Sequence, residues 1–575
     1  MRANGNQGRN ELSLVLAGEA GQGIQTVELL LTRAFRQEGY HVFSAQEFMS
    51  RIRGGSNSTL LRVGTRSVRA WSERADLCIV FDEKAVAHLG KRLNPETFVL
   101  GDGLKGTVDQ RHIDVPLEKL AKDAGGQIFV NTIAAGILWG IFNGPKETIE
   151  GIIKGFFTGK PSEIIDKNLT AVGSGMALGR ELRRSGQVAL SLPPPSKTHR
   201  DLHLTGTEAI ALGAIAGGCN FVSSYPMSPS TGVLVFLAKH GRDFGIIVEQ
   251  AEDEISAANM VLGAWYAGAR GFATTSGGGF ALMTEAVSLA GMTEIPMVIH
   301  LAQRPGPATG LPTRTEQGDL NLALYAGHGE FPRVLLAPGN PEQAFALAEN
   351  AFHLADAHQV PVIILTDQYL MDSGYDVENL TVADAPLEAA IVKTGPGYRR
   401  YALTESGISP RGIPGWGEGL VGADSDEHDE NGHITEDLDL RVLMVDKRLR
   451  KLTTLTESAL TPEWIGPEDA LNLVVCWGST LEIVREAAAG LAMENLAVLH
   501  FQQVFPLSEE APERLQKAHN RILLENNATG QFGALLKQQW GIHWQHRILK
   551  YNGLPFSVEE VQAALRKIME QEGPR

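Results

Sequence analysis

Between residues 225 and 279 the chain leaves itself little conformational choice. The stretch opens as YPMSPST (residues 225–231), where Pro226 and Pro229 lock φ on either side of Met227 and Ser228 and withhold two backbone donors, so the turn is stiff and its hydroxyls keep a set direction. Such a loop builds a site rather than a tether. From Glu254 onward, Ile255, Ala257, Ala258, Val261, Leu262 and Ala264 fall at helical spacing, and the excess of Ala and Gly lets another backbone or a flat ligand come close. Glu254 opens that helix, where the free N–H groups favour a carboxylate. The stretch ends in the triple glycine of TTSGGGF (residues 274–280).

A chain of 575 residues is too long for one core, and at about 100–200 residues per domain it holds three or four domains. Its 51 basic and 67 acidic residues give −16, which argues against nucleic acid, whose backbone recruits clustered Lys and Arg. No apolar run approaches the ~18 residues that a bilayer span requires, and the start, MRANGNQGRN, lacks the apolar core of a secretory signal. A soluble cytoplasmic protein without membrane contact is expected. Cys78, Cys219 and Cys476 stand far apart with no CxxC pair, so local spacing offers neither a disulfide framework nor a zinc or iron–sulfur motif. No metal site is expected on this chain, and any cluster has to belong to a partner.

Short apolar runs alternate with helical patterns along most of the length, which predicts an α/β fold of three doubly wound or parallel-sheet domains. In the first, over residues 1–190, strands are predicted at 12–16, 41–44, 77–81, 98–100 and 128–130, with a helix at 24–37. SLPPPSK (191–197) is a semi-rigid linker. The second domain, 198–385, starts at Thr205 as a helix N-cap and has strands at 221–223, 245–249, 271–275, 296–301 and 360–365. The third, 468–575, has strands at 472–479, 497–501 and 521–527. Between them, 386–467 is a connecting segment whose Gly- and Pro-rich part, 396–439, is either disordered or a lid.

Four further features are ambiguous. GEAGQG (18–23) runs G-x-x-G-x-G rather than G-x-G-x-x-G, so it serves either a nucleotide or tight strand-to-helix packing. SRIRGGSNST (50–59) offers Arg51 and Arg53 to a phosphate-bearing ligand or a neighbouring subunit, or is a solvated turn. Gly101-Asp102-Gly103, with Asn131 following, echoes a thiamine diphosphate motif but reads as a turn. ADSDEHDENGHITED (423–437) misplaces Gly432 for a calcium loop and reads as a solvated loop.

Taken together, the order GxxGQG, YPMSPST, EDEISAAN, TTSGGGFALMTEA, RPGPATGLPTRTEQGDL (304–320) and ENNATGQFG (525–533) closely resembles the α subunits of 2-oxoacid:ferredoxin oxidoreductases of the 2-oxoglutarate type. The resemblance covers almost the whole chain. It implies a γ-type domain fused ahead of a pyrimidine-binding thiamine domain and a transketolase C-terminal-like domain. One departure is Ser228, which stands where the family loop YPxTPS commonly has Thr; the hydroxyl is kept.

The resemblance implies an enzyme that interconverts 2-oxoglutarate plus coenzyme A with succinyl-CoA, CO2 and reduced ferredoxin, the reverse direction being carbon fixation. Thiamine diphosphate would be shared with a β subunit that carries Mg2+, the diphosphate motif and the iron–sulfur cluster, in an (αβ)2 assembly. At −16 the chain is a poor long-range dock for an acidic ferredoxin, which makes that partner the electron exit. Glu254 would engage the pyrimidine ring nitrogen, in competition with Glu249, Glu252 and Asp253, and Ser228 would orient the pyrimidine or the substrate carbonyl. Tyr225, Pro226, Ser276 and Gly277 would contact the cofactor. Arg314, Arg304 and Thr231 would bind substrate, and two arginines favour a dicarboxylic 2-oxoacid over pyruvate. The alternatives are another 2-oxoacid, a non-redox thiamine decarboxylase subunit, or a non-catalytic scaffold that binds coenzyme A.

Overall fold

Runs that are apolar on both faces become strands buried from both sides, as Glu11–Glu19 does with only its two ends partly exposed. The computed structural model describes residues 10–19, 21–49, 55–104, 111–195, 201–383 and 389–572; Arg51, Arg53, Ser196, Lys197 and the stretch after Leu104 lie outside them. The first strands are β1 (Glu11–Glu19), β2 (His41–Glu47), β3 (Ser56–Gly64), β4 (Leu77–Val80), β5 (Phe98–Gly101) and β6 (Arg111–Asp114). They are followed by β7 (Leu202–Thr205), β8 (Phe221–Ser224), β9 (Ile247–Gln250), β10 (Gly271–Thr275), β11 (Met297–Gln303), β12 (Val334–Leu336), β13 (Pro361–Asp367) and β14 (Gly374–Val377). The last are β15 (Glu463–Ile465), β16 (Asn472–Trp477), β17 (Leu496–Phe501), β18 (Gln503–Phe505), β19 (Asn520–Glu525) and β20 (His546–Leu549).

These strands form three sheets, in the orders β6-β5-β4-β1-β3-β2-β14-β7, β18-β12-β13-β11-β10-β8-β9 and β15-β17-β16-β19-β20. By contact the chain divides into two units: residues 1–203 with 373–378 and 557–559, and the remainder. The second and third sheets therefore share one unit, and β18 pairs antiparallel with β12 of the second sheet.

In the first unit the sheet is mixed, because β1 runs parallel to β4 but antiparallel to β3. The expected strand at 128–130 is instead a short 3-10 turn leading into helix Val130–Ile141. Its glycines decide this. A Cβ on Gly140 would stand 2.4 Å from the Met176 carbonyl, and one on Gly179 would stand 2.1 Å from that of Ile137, so this helix and Ser162–Arg184 pack backbone to backbone. The two end glycines of GEAGQG are likewise tightly packed: a Cβ on Gly18 would meet Gln22 Oε1 at 2.2 Å, and one on Gly23, left-handed at the helix N-cap, would meet the Asn131 amide at 1.9 Å. Gly101-Asp102-Gly103 is a turn held by Asp102, which accepts from the Glu118 amide, and by Gly103, whose N–H donates to Asp114.

In the second unit the segment expected to be solvated or lid-like is a packed strap. Arg400, Tyr401, Arg411 and His428 are buried, and Glu427 of the acidic stretch pairs with Arg441 and Arg448. It lacks apolar periodicity because ion pairs and side-chain bonds to backbone carbonyls hold it. No single described helix is long and apolar enough to cross a membrane.

Candidate active site

Four adjacent strands of the second sheet, in the order β11-β10-β8-β9, run parallel, so the loops leaving their carboxyl ends converge at one rim. β8 ends in YPMSPST, β9 in the acids before helix Glu254–Tyr266, β10 in the triple-glycine turn, and β11 in Arg304.

The structure separates the four acids of the second rim loop. Glu249 and Glu252 are exposed. Asp253 is the helix N-cap and accepts from the Ser256 amide at 2.7 Å. Glu254 alone is buried, at 4% exposure, and its Oε1 makes no hydrogen bond with any described residue. A buried carboxylate oxygen left unbonded is costly, which marks it as waiting for a donor. The triple-glycine turn supplies the space. A Cβ on Gly279 would lie 2.6 Å from Glu254 Oε1 and 2.3 Å from Thr275 Oγ1. Ser276, fully buried at the N-cap of helix Gly277–Leu282, also has an unbonded Oγ. An acceptor, a hydroxyl and missing side chains fit the polar edge of a planar heterocycle such as an aminopyrimidine.

Behind the turn, Ser224 Oγ accepts from the Thr274 amide, and His300 bridges Thr274 and Thr366 at 2.8 and 2.7 Å. Burial pushes the His300 imidazole down to about 3, so it is a neutral strut.

At the YPMSPST loop the Ser230 hydroxyl donates to the Met227 carbonyl, and Arg304 Nη1 donates to the Ser228 carbonyl at 2.7 Å. Tyr225 and the Ser228 side chain are exposed, Pro226 is half-buried, and Thr231 opens helix Thr231–Phe244. Arg304 is thus brought to Ser228. Arg314 stands further along the loop, where its Cβ would be 3.2 Å from a Cβ on Gly553.

Several residues that the sequence pattern did not single out shape the same rim. Asp319 lies against Gly277, its Oδ2 unbonded and 2.4 Å from where a Cβ there would sit, and its amide donates to Gln303 Oε1 at 2.9 Å. Burial and neighbouring Glu316 push its carboxyl up to about 6, against the opposing pull of Arg304. Gln317 donates to the Trp477 carbonyl at 2.8 Å and accepts from the Asn526 amide at 2.9 Å, while Asn527 donates to the Gln317 carbonyl. ENNATGQFG therefore anchors the arginine loop to the third sheet. Glu525 of that motif is itself satisfied by the Phe532 and Gly533 amides.

Residues 13–178 match the family described as pyruvate ferredoxin/flavodoxin oxidoreductase, and residues 212–447 match its thiamine diphosphate-binding domain. A protein named 2-oxoacid:ferredoxin oxidoreductase 2, subunit alpha, from Aeropyrum pernix is 32% identical over 97% of this chain and 98% of its own length. The 2-oxoglutarate oxidoreductase subunit KorA of Mycobacterium tuberculosis is 30% identical over 84% of this chain and 76% of its own. Among solved structures, a 2-oxoglutarate:ferredoxin oxidoreductase from Magnetococcus marinus, with 2-oxoglutarate, coenzyme A and succinyl-CoA bound, superposes with a TM-score of 0.90 at 29% identity, over 97% of this chain and 99% of that one.

Proposed function

The chain belongs to the 2-oxoacid:ferredoxin oxidoreductase family, as an α subunit with a fused γ-type domain, and on that premise we propose that it converts 2-oxoglutarate and coenzyme A to succinyl-CoA and CO2, passing electrons to ferredoxin, or runs the reverse. The observation that carries the catalytic assignment is the burial of Glu254 with one oxygen unbonded against a turn of glycines, while its three acidic neighbours are exposed or spent on capping.

When bound, thiamine diphosphate supplies the carbon nucleophile and the electron sink that decarboxylation of a 2-oxoacid needs. The chain's part is to tune and to place. Glu254 engages the ring nitrogen of the pyrimidine, and Ser276, Gly277, Tyr225 and Pro226 complete that side. Ser228 presents its hydroxyl to the pyrimidine or the substrate carbonyl. Arg304, steadied on the Ser228 carbonyl, and Arg314 grip the two carboxylates, with Thr231 close to the loop; two guanidinium groups suit a dicarboxylic 2-oxoacid better than pyruvate.

The site is completed in the cytoplasm by a β subunit carrying the diphosphate site with Mg2+ and the iron–sulfur cluster, in an (αβ)2 assembly. Ile247, Ile255, Met260 and Leu282 support this. They are exposed apolar side chains at 65, 48, 43 and 51% on the elements that carry the site, and β9 is an edge strand.

The test is Glu254→Gln in the complete complex. Oxoacid-dependent ferredoxin reduction should fall at least ~100-fold with thiamine and iron contents unchanged, while Glu252→Gln is silent. Near wild-type turnover in Glu254→Gln removes the assignment.

A further inference from the structure

We propose that the strap (396–437) and the helix that follows it, Leu438–Glu457, form a docking surface for the β subunit, continuing the one on the outer face of helix Glu254–Tyr266. This rests on the reading of the chain as an α subunit whose exposed apolar side chains around the site meet that partner.

The observation that carries it is a polarity turned inside out. Helix Leu438–Glu457 buries Lys447, Arg448 and Lys451, while its Leu438 and Val442 stand at 79 and 57% exposure. The strap does the same: Arg400, Arg411 and His428 are buried, and Leu420 and Ile434 are exposed at 90 and 63%. Cations inside and leucines in water go against both the desolvation cost of charge and the hydrophobic effect. A surface that another protein covers recovers the apolar part.

The four apolar side chains belong to one packed arrangement. Between Leu420 and Ile434 the chain folds back on itself, since a Cβ on Gly422 would stand 2.7 Å from the Asn431 carbonyl and His428 bridges antiparallel to Ile434. Glu427, within that fold, pairs with Arg441 and Arg448 and so sets it against the half of the helix that carries Leu438 and Val442. A surface fixed in this way loses little freedom when it is covered.

Position and charge name the occupant. The strap is seated on the end of helix Glu254–Tyr266: the Tyr266 hydroxyl donates to the Val421 carbonyl at 2.8 Å, Arg411 donates to the Trp265 carbonyl at 3.1 Å, and a Cβ on Gly268 would lie 2.7 Å from Ile413 Cδ1. Ile255 and Met260 are exposed on that same helix, and Leu420 stands beside Val421 past its far end. At 1.5 Å per residue the helix is about 20 Å long, and one partner's usual share of an interface, about 800 Å², is roughly 30 Å across. A subunit lying on Ile255 and Met260 therefore reaches Leu420. Glu418, Asp426, Glu436 and Asp439 are exposed around the apolar side chains, which calls for a facing surface with Lys and Arg at its rim. The same acids repel an acidic ferredoxin. A second copy of this chain meeting the face about a two-fold axis would set them against themselves, and Arg441 beside them is already paired with Glu427.

The experiment co-expresses the chain with its β subunit and measures the dissociation constant of the complex by sedimentation velocity. Leu420→Asp and Leu438→Asp should each raise it at least ~10-fold, with the melting temperature of the free α chain within about 2 °C of wild type. Excess β subunit should then restore kcat to within about twofold, because assembly and not chemistry is impaired. Unchanged dissociation constants in both variants overturn the inference. So does a loss of α–α association with affinity for β intact, which makes a second copy the occupant. Ile255→Asp combined with Met260→Asp separates the two layers: if β binding survives it, the reading of the site's outer face fails, whereas weakened binding there beside unaffected Leu420→Asp and Leu438→Asp refutes the strap alone.

Discussion

Glu254 keeps its unbonded carboxylate oxygen 2.6 Å from the point that a Cβ on Gly279 would occupy. The two positions lie in the first turns of helices that follow different strands, and the smallness of one is what leaves the other its cavity. A buried acceptor with no partner in the chain calls for a donor from water, an ion or a ligand.

Gly279→Ala should therefore disable the site while leaving the fold in place. The added methyl meets Glu254 Oε1 and Thr275 Oγ1 at once, and Gly279 is itself buried, which offers it no retreat. Overpacking of this kind costs about 1–3 kcal/mol, and a shift of Glu254 by about 1 Å costs roughly 100-fold in rate. The check is ferredoxin reduction by the assembled complex together with its melting temperature. Gly278→Ala, where the nearest neighbour of a Cβ among the described residues would be the Ala308 carbonyl at 3.8 Å, should be nearly silent.

The arginine loop depends on the third sheet. Gln317→Leu strips the Trp477 carbonyl and the Asn526 amide of buried partners, at about 1–3 kcal/mol each. The expected outcome is a melting temperature lowered by several degrees and a KM for the oxoacid raised, because the loop carrying Arg304 and Arg314 loses its seat. Steady-state kinetics at fixed CoA would show it, and an unchanged KM would mean that the third sheet does not position the loop.

How much of this was legible in the sequence follows from the range of the forces involved. Buried β strands such as 77–80 and 361–367 declare themselves by local apolar runs, and Thr205 forms the full capping box that its sequence suggests, with Glu208 three residues on. The small residues after Glu254 are in keeping with its burial at the start of a closely packed helix. Strand Ser56–Gly64 was not, because its polar start, SNST, is buried by pairing with β1 and β2. Residues 128–130 have the apolar run of a strand but form the turn into the helix at 130–141, whose glycines face the backbone of a second helix, which local sequence does not reveal. Gln317 lies within a recognisable motif, but its role is set by partners far away in sequence, such as Asn526 at a separation of 209 residues.

The strap makes the final prediction. Glu294 lies between Lys447 and Lys451, with Nζ–O distances of 2.6 and 2.5 Å, and Arg400 donates to its backbone carbonyl, so two buried lysines share the carboxylate and a buried guanidinium stands beside them. Burial works to raise the Glu294 carboxyl, but Lys451, Lys447 and Arg400 outweigh it and hold the group well below the usual carboxylate range. Lys451 is itself lowered by burial to about 8 despite Glu294. Glu294→Gln leaves the cations uncompensated and should cost about 3–5 kcal/mol, whereas Lys451→Met removes a surplus charge and should be close to neutral at pH 7. Both groups make stability rise with pH, each in its own window. The stabilisation from Glu294, whose folded value is depressed, is present above its unfolded value of about 4.5 and is lost as the pH falls below it. Lys451 is depressed too, so between about 8 and its ordinary value of 10.5 the unfolded chain holds the extra proton and stability rises with pH. The melting temperature of wild type relative to Lys451→Met should accordingly climb from pH 8 to 10, and a constant difference across that interval would show that Lys451 does not titrate in the strap.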